Sequence, residues 1–175
     1  MDMFNSIMHR RSIRQYTDAT IDPESLNTIL YAGLAAASSK NRKPWEFVVV
    51  QSRETLKRLC ACRPGAEHLL GKCTAAIVVA ADSTLVDVWV EDCASAMTQM
   101  HLMADALGIG SCWLQVRLRK TPDGCHDTQD VVREVLGIPE QFSVMAILAL
   151  GMPAVHPGAK TIDSLDLSKI HHEHF

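Results

Sequence analysis

The chain has 175 residues, of which 47% are hydrophobic and 21% charged, and its formal net charge is −3. This length and balance are typical of a globular protein, and a single domain over residues 1–175 is predicted. A slightly acidic chain is not typical of nucleic-acid-binding proteins, which carry basic patches that neutralise phosphates. The longest apolar runs, 75–81 and 144–150, are far shorter than the roughly 20 residues of a membrane-spanning helix. Because no apolar signal core follows Asp2, the sequence predicts a soluble, cytoplasmic protein without a nucleic-acid or membrane partner.

The N-terminal part of the sequence predicts two helices. A short amphipathic helix is expected from Met3 to about His9. A second helix begins after a loop, with Asp22 as its N-cap and Pro23 at its first helical position. Its apolar side chains recur at helical spacing as far as Ala37, which gives the helix one face to bury.

Two strands and a long helix are expected in the central part of the chain. The apolar runs 45–51 and 75–82 are typical of buried strands, and a helix around Leu56 and Leu59 separates them, followed by a loop containing Gly and Pro. The longest helix is predicted over about 85–107, and it is apolar around most of its circumference. Such a helix is buried either in the core or against a second subunit.

The C-terminal part adds two strands and a helix. Gly108 ends the long helix, and residues 108–116 open the third strand. The stretch TQDVVREVL predicts a helix that stops at Gly137, and residues 142–151 predict the fourth strand. Strands and helices are interspersed, which indicates a layered α+β or α/β domain.

Three patterns are not interpreted as sites. The pair Gly108 and Gly110 lacks a third glycine and follows a helix instead of a strand, so it does not indicate a dinucleotide-binding fingerprint. The tail HHEHF contains His171, His172 and His174, but no upstream pair at ligand spacing accompanies them, and no metal site is predicted. The six cysteines form no CxxC pair and are interpreted mainly as structural thiols.

The stretch RRSIRQY, residues 10–16, concentrates positive charge in an acidic chain. Arg10, Arg11 and Arg14 flank Ser12. The planar guanidinium of arginine binds phosphate oxygens as a bidentate donor, and the serine hydroxyl adds another donor. The stretch predicts a phosphate-binding cluster, with a solvated basic face or a partner contact as alternatives.

A second polar cluster, SSKNRKPW, precedes the first strand. It contains the hydroxyls of Ser38 and Ser39, the amide of Asn41 and several cations that include Lys43. An amide offers both a donor and an acceptor, which suits the edge of a heterocycle. Two such clusters on an otherwise apolar frame favour a site for a phosphorylated ring cofactor.

The sequence resembles the FMN-dependent nitroreductase family over nearly its whole length. The matching stretches are RRSIRQYTD, SSKNRKPWEFVVV, DCASAMTQMHLMADALGIGSCWL, LGIPEQFSVMAILALGMP and IHHEHF, in the family's order and at its separations. The resemblance implies an α+β fold with a mixed, mainly antiparallel central sheet flanked by helices. It also implies an intertwined homodimer with two FMN molecules at its interface, in which the long helix lies between the subunits.

Four groups of FMN-binding residues follow from the resemblance. The phosphate and the ring edge would be bound by Arg10, Arg11, Ser12 and Arg14. The same flavin would be approached from the other subunit by Ser38, Ser39, Asn41 and Lys43. Leu114 and Gln115 would lie against the ring, with the backbone N–H of Gln115 directed at the reactive nitrogen, and Gly151 would begin the segment that returns to the phosphate, with Lys160 as a candidate cation.

The implied activity is hydride transfer from NADH or NADPH through FMN to a nitroaromatic, quinone or similar small-molecule acceptor, in a ping-pong cycle. No side chain is expected to act as a catalytic acid or base. One alternative is a flavin-binding or reservoir protein without turnover. Others are a flavin-consuming or dehalogenating branch of the family, and a phosphopeptide- or nucleic-acid-binding domain that uses the arginines.

The sequence departs from the family pattern at several points. Ala37 stands where the family usually has proline, and Lys43 where it usually has glutamine. A glycine is common near Gln115 in the family, and the chain lacks the helical insertion that narrows the substrate channel of longer members. These departures leave the identity of the acceptor open.

Overall fold

A four-stranded sheet forms the centre of the molecule, with the strand order β1-β2-β4-β3. The strands are β1 (Trp45–Val50), β2 (Ala75–Asp82), β3 (Gly110–Gln115) and β4 (Phe142–Gly151). The computed structural model, which describes residues 2–175, pairs these neighbouring strands in antiparallel fashion. A parallel bridge joins Ser12 to Ser111, so the mixed, mainly antiparallel sheet is confirmed.

Helices cover both faces of this sheet. They are α1 (Met3–His9), α2 (Pro23–Leu34), α3 (Arg53–Leu59), α4 (Ala66–Leu70), α5 (Trp89–Ala106) and α6 (Thr128–Leu136). Successive side chains of a strand point to opposite faces, and β2 and β4 divide their apolar residues accordingly. One buried cluster joins the sheet to α3, α4 and α6, and the other joins it to α2 and α5. The result is a three-layer α+β arrangement.

The first strand is less buried than its sequence predicts. β1 lies at the edge of the sheet and leaves Glu46 and Val49 exposed. β2 and β4 occupy the middle of the sheet and are buried along almost their whole length. A continuous apolar run therefore identifies a strand here, but its position in the sheet depends on pairing between distant segments.

The start of α2 is confirmed and its end is not. The Asp22 carboxylate accepts a hydrogen bond from the Ser25 N–H at 2.8 Å, and Pro23 opens the helix. The helix ends at Leu34 and not near Ala37, because the Ala36 N–H turns back to the carbonyl of Gly33. This tighter bond closes the last turn.

The long helix begins four residues later than predicted. The carboxylate of Asp82 accepts hydrogen bonds from the N–H and hydroxyl of Thr84 and forms a turn, so residues 85–88 remain outside α5. Its predicted end is confirmed, because Gly108 takes a left-handed φ of +73° directly after the helix. Along residues 2–175, no helix has the length and apolar character needed to cross a bilayer.

The segment between α3 and β2 contains a helix that the sequence does not predict. Gly65 has a φ of +78°, and α4 follows it. Leu69 and Leu70 on this short helix are buried in the core. The tertiary contacts of these two leucines stabilise a helix too short to be evident from periodicity.

Candidate functional site

The arginine-rich segment lies across the ends of two strands. Beyond the bridge between Ser12 and Ser111, the Ile13 N–H donates to the Ser111 carbonyl at 2.9 Å. Farther along, the Thr17 N–H donates to the carbonyl of Met152 at 2.8 Å. These bonds fix the segment beside the first residues of β3 and the residues that follow β4.

Two glycines allow this close approach. Gly110 and Gly151 are paired across β3 and β4. A Cβ atom on Gly110 would lie 2.8 Å from the Ile13 side chain, and one on Gly151 would lie 2.7 Å from the Tyr16 ring. The structure therefore gives Gly151 a packing role beneath Tyr16, and its predicted contact with a cofactor stays a prediction.

Arg10 is held by a buried polar pair. Its Nη1 atom lies 2.9 Å from Nε2 of His101 on α5, and Nδ1 of the same ring is hydrogen-bonded to the Ser111 hydroxyl. A guanidinium only donates, so Nε2 accepts and the Nδ1–H donates to Ser111. Burial and the nearby Arg10 charge lower the pKa of His101 to about 4. His101 is therefore a neutral acceptor that orients Arg10.

The C-terminal segment returns to the same place. Arg11 donates from Nη1 to the carbonyl of Gly158, and the Lys160 N–H donates to the carbonyl of Met8 at 2.8 Å. Arg14 is exposed and makes one long hydrogen bond, 3.3 Å, to the carbonyl of Ser12. The structure thus brings Lys160 into the neighbourhood of the arginines, with its side chain exposed.

The second polar cluster is anchored to the opposite end of α5. The Ser39 N–H donates to Oδ1 of Asp92 at 2.7 Å, and the Lys43 N–H donates to the Ser38 hydroxyl at 2.9 Å. Asp92 is buried, and its Oδ2 atom has no hydrogen-bond partner within residues 2–175. Asp92 therefore positions the backbone of this loop.

The same loop has an unusual backbone. Lys40, Asn41 and Lys43 have φ angles of +51°, +57° and +48°, a region that non-glycine residues seldom occupy. The side chains of Asn41 and Lys43 are exposed. Such conformations persist only where the surroundings enforce them, and they are common at ligand-binding sites.

The two polar clusters are separated within one chain. Asp92 and His101 are nine residues apart on α5, which corresponds to about 14 Å along the helix axis. In the described part of the chain, no hydrogen bond joins residues 38–43 to residues 10–16. The predicted convergence of the two clusters on one flavin stays a prediction.

The end of β3 is fixed by side-chain hydrogen bonds. The Gln115 amide accepts from Nε1 of Trp113 at 2.9 Å and donates to the Arg117 carbonyl at 3.0 Å. Its backbone carbonyl accepts from Nη1 of Arg63 at 2.8 Å. The neighbouring Leu114 side chain is buried in the core, so it supports the strand.

Three residues of this region are not predicted from the sequence, namely His101, Asp92 and Arg63. The only available signal was a polar residue within an apolar helix for the first two, and a cation before a Pro-Gly turn for Arg63.

Comparison with known proteins identifies the family. The model of the Nitroreductase family matches residues 7–62 and 61–152. A relative from Archaeoglobus fulgidus, provisionally named NADH dehydrogenase/NAD(P)H nitroreductase, is 41% identical over 151 residues, which cover 84% of this chain and 83% of the relative.

Solved structures agree with this assignment. An FMN-dependent nitroreductase from Clostridium difficile has a TM-score of 0.95 and 39% identity, covering 99% of this chain and 100% of its own. A provisionally named nitroreductase from Desulfovibrio desulfuricans, solved in complex with FMN, has a TM-score of 0.78 and 26% identity, covering 98% of this chain and 96% of its own. The chain therefore belongs to the nitroreductase family.

Proposed function

We propose that this chain is an FMN-dependent NAD(P)H oxidoreductase that works as a homodimer. The observation that carries the proposal is the convergence of residues 10–14 with residues 158–160 at the Ser111 end of the sheet. The relatives support it, since the name of the Clostridium difficile protein includes FMN and that of the Archaeoglobus fulgidus protein includes NAD(P)H.

The donor set of the arginine segment fits a phosphate group. Each guanidinium has five N–H donors, and Arg14 uses one of them for a long bond to Ser12. Arg10 is oriented through one nitrogen by His101, and within residues 2–175 its remaining donors have no partner and can bind a ligand oxygen. A doubly negative phosphate is stabilised best by such charged, bidentate donors.

When bound, FMN supplies the redox chemistry, which is hydride acceptance from NADH or NADPH and electron delivery to a second substrate. The protein's own residues bind and orient. Arg10, Arg11, Ser12, Arg14 and Lys160 hold the phosphate end, and the loop from Ser38 to Lys43 contributes donors from the second subunit. The proposed cycle is ping-pong, so NADH or NADPH and then the nitroaromatic or quinone acceptor occupy the same site one after the other. No side chain is assigned as acid or base.

A two-fold dimer would unite the two polar clusters. An axis perpendicular to α5 sets two copies of this helix antiparallel, so the Asp92 end of one copy lies beside the His101 end of the other. Apolar side chains on the surface beside α5 support this arrangement. Met3, Phe4 and Ile7 on α1 are exposed, and a hollow of about 460 Å³ between α1, α2 and α5 is lined mainly by apolar residues, among them Leu102 and Met103.

We further propose that residues 1–175 form one FMN-binding domain. A cytoplasmic location follows from the proposed reaction, because reduced pyridine nucleotides are supplied in the cytoplasm.

The visible absorption spectrum of the purified protein tests the proposal, followed by anaerobic addition of NADH and NADPH in turn. A flavin spectrum that bleaches supports the oxidoreductase and identifies its reductant. A flavin spectrum unchanged by both nucleotides favours the alternative of a flavin-binding protein without turnover. A colourless protein that takes up no added FMN would contradict the proposal.

A further inference from the structure

Three side chains from distant parts of the sequence meet at the C-terminal end of α5. They are His9 at the end of α1, Asp105 on α5, and His156 in the segment after β4. Nδ1 of His9 lies 2.7 Å from one oxygen of the Asp105 carboxylate, and Nε2 of His156 lies 3.4 Å from the other oxygen. The two imidazole rings are stacked, with centroids 4.2 Å apart and planes inclined by 14°.

The carboxylate of this cluster is buried and lacks a strong cation partner. The Asp105 side chain is 5% exposed, whereas those of His9 and His156 are 38% and 26% exposed. Within residues 2–175, no lysine or arginine nitrogen lies within 4 Å of the carboxylate. Buried charges are normally paired or bound to a metal ion, because desolvation otherwise disfavours them.

An ion pair accounts for only part of this arrangement. His9 alone makes a close contact with the carboxylate, at 2.7 Å. The His156 nitrogen lies 3.4 Å from the other oxygen, which is longer than the usual range of about 2.7–3.2 Å for an N–H···O hydrogen bond. The second histidine is therefore held beside the carboxylate without a close hydrogen bond to it, and its nitrogen is available to a ligand.

We propose that His9, Asp105 and His156 form a binding site for a divalent transition-metal ion of the zinc class. Two imidazoles and one carboxylate are a donor set that such ions prefer, with water in the remaining position. The three ligand atoms already lie within 4.8 Å of one another. Ligands at about 2.1 Å from a tetrahedral zinc ion are about 3.4 Å apart, so modest side-chain rotation closes the site.

The surroundings leave space for the ion and its water. The three residues line a hollow of about 280 Å³ together with the backbone around Gly108, Gly110 and Pro153. This volume exceeds that of several water molecules. His9 and His156 are partly exposed at its edge, which gives an ion a route from solvent.

A bound ion would connect three segments of the fold. It would tie α1 and the segment after β4 to α5, and His9 directly precedes Arg10. The ion would thereby fix the start of the arginine segment, and the benefit of this for phosphate binding rests on the proposed function. The metal site itself does not rest on it, and its test does not depend on flavin.

Zinc titration by calorimetry tests the site, in the full chain after chelator treatment. His171, His172 and His174 are first replaced by glutamine in every sample, because three histidines in the exposed tail can bind zinc independently. In that background we expect one zinc ion per chain and a rise in thermal midpoint of roughly 5–10 °C at a hundredfold excess over Kd. Cobalt(II) in place of zinc is expected to show visible absorption characteristic of imidazole coordination, whereas magnesium is expected to have no effect.

Substitution of the ligands separates the site from adventitious binding. His156→Ala and Asp105→Asn are each expected to weaken zinc affinity by at least about tenfold, a conservative bound since even residues behind the ligands have effects of that size. The matched control, His68→Ala, removes an exposed histidine on α4 and is expected to leave affinity unchanged. Because His156 is partly exposed, its variant remains informative if Asp105→Asn fails to fold. Absence of stoichiometric zinc binding, or equal affinity in His156→Ala, would overturn the proposal and leave an ion pair with stacked rings.

Discussion

Nη1 of Arg10 lies 2.9 Å from Nε2 of His101, and this contact joins the arginine segment to the central helix. The contact determines the protonation of the ring, because the guanidinium has no lone pair to offer. It also fixes the direction of Arg10, whose long side chain would otherwise lose considerable rotamer entropy on binding a ligand. His101 is therefore a positioning residue for the proposed phosphate site.

The free energy of unfolding is expected to decrease as the pH is lowered from 6.5 to 4, because of His101. Its pKa is lowered from 6.5 to about 4 in the folded protein, so the unfolded chain binds the proton first as the pH falls. The stability gained from keeping His101 neutral is fully present above pH 6.5 and is lost towards pH 4, and its magnitude is on the order of 3 kcal/mol. Urea denaturation at several pH values measures it.

His101→Gln removes the titrating ring and keeps an oxygen acceptor for Arg10. In this variant, the slope of the unfolding free energy against pH is expected to decrease, between pH 4 and 6.5, by the equivalent of about one bound proton. The control His68→Gln alters an exposed histidine and should retain the wild-type slope. An unchanged slope in His101→Gln would show that another group dominates the acid sensitivity.

The double variant Arg10→Ala and Arg14→Ala is expected to release most of the FMN from a folded protein. Each charged hydrogen bond to a phosphate contributes about 1.5–3 kcal/mol, so the pair predicts a loss of affinity of at least a hundredfold. Flavin absorbance retained after gel filtration measures the occupancy. Arg58→Ala, on the exposed face of α3, is the control. Normal occupancy in the double variant would refute the phosphate assignment.

Asp92→Ala is expected to loosen the loop from Ser38 to Lys43. It removes the acceptor of the Ser39 N–H and leaves this donor unpaired, at a cost of about 1–3 kcal/mol. Faster amide hydrogen exchange in residues 38–43 measures the effect. Asp92→Asn retains a side-chain oxygen and should preserve more protection than alanine does. Equal exchange in wild type and Asp92→Ala would mean that Asp92 does not anchor the loop.

Gly151→Ala is expected to destabilise the protein by about 1–3 kcal/mol, because its Cβ would lie 2.7 Å from the Tyr16 ring and force the arginine segment outward. Gly158→Ala is the matched control, since no atom of the described residues lies within 4 Å of the corresponding Cβ. Thermal denaturation compares the two variants. Similar midpoints for both would show that the segment adjusts without strain.

Leu102→Asp is expected to convert the proposed dimer to a monomer. Leu102 lines the apolar hollow beside α5, and a charge there would be desolvated in the interface. Sedimentation velocity measures the oligomeric state, and circular dichroism establishes that the variant is folded. Leu118→Asp, at an exposed position outside that hollow, should leave the assembly intact. A wild-type monomer, or a dimeric Leu102→Asp variant, would contradict the interface.

Features that depend on neighbouring residues can be predicted from the sequence. The cap formed by Asp22 and Pro23, the helix ends at Gly108 and Gly137, and the span of β4 all depend on contacts within a few positions. Steric limits and local hydrogen bonds decide such features, so they can be recognised without knowledge of the fold. The apolar patterning was likewise sufficient to identify the four strands and most of the helices.

Only the tertiary structure decided which residues meet. It placed β1 at the sheet edge, and it joined Arg10 to His101 across 91 positions and Ser39 to Asp92 across 53. The cluster of His9, Asp105 and His156 had no spacing that could reveal it, because its members come from three segments. The type of each side chain is given by the sequence, but its distance from a distant partner depends on how helices and strands pack. This packing is driven by burial of apolar side chains from the whole chain, so it cannot be predicted from a few neighbouring residues.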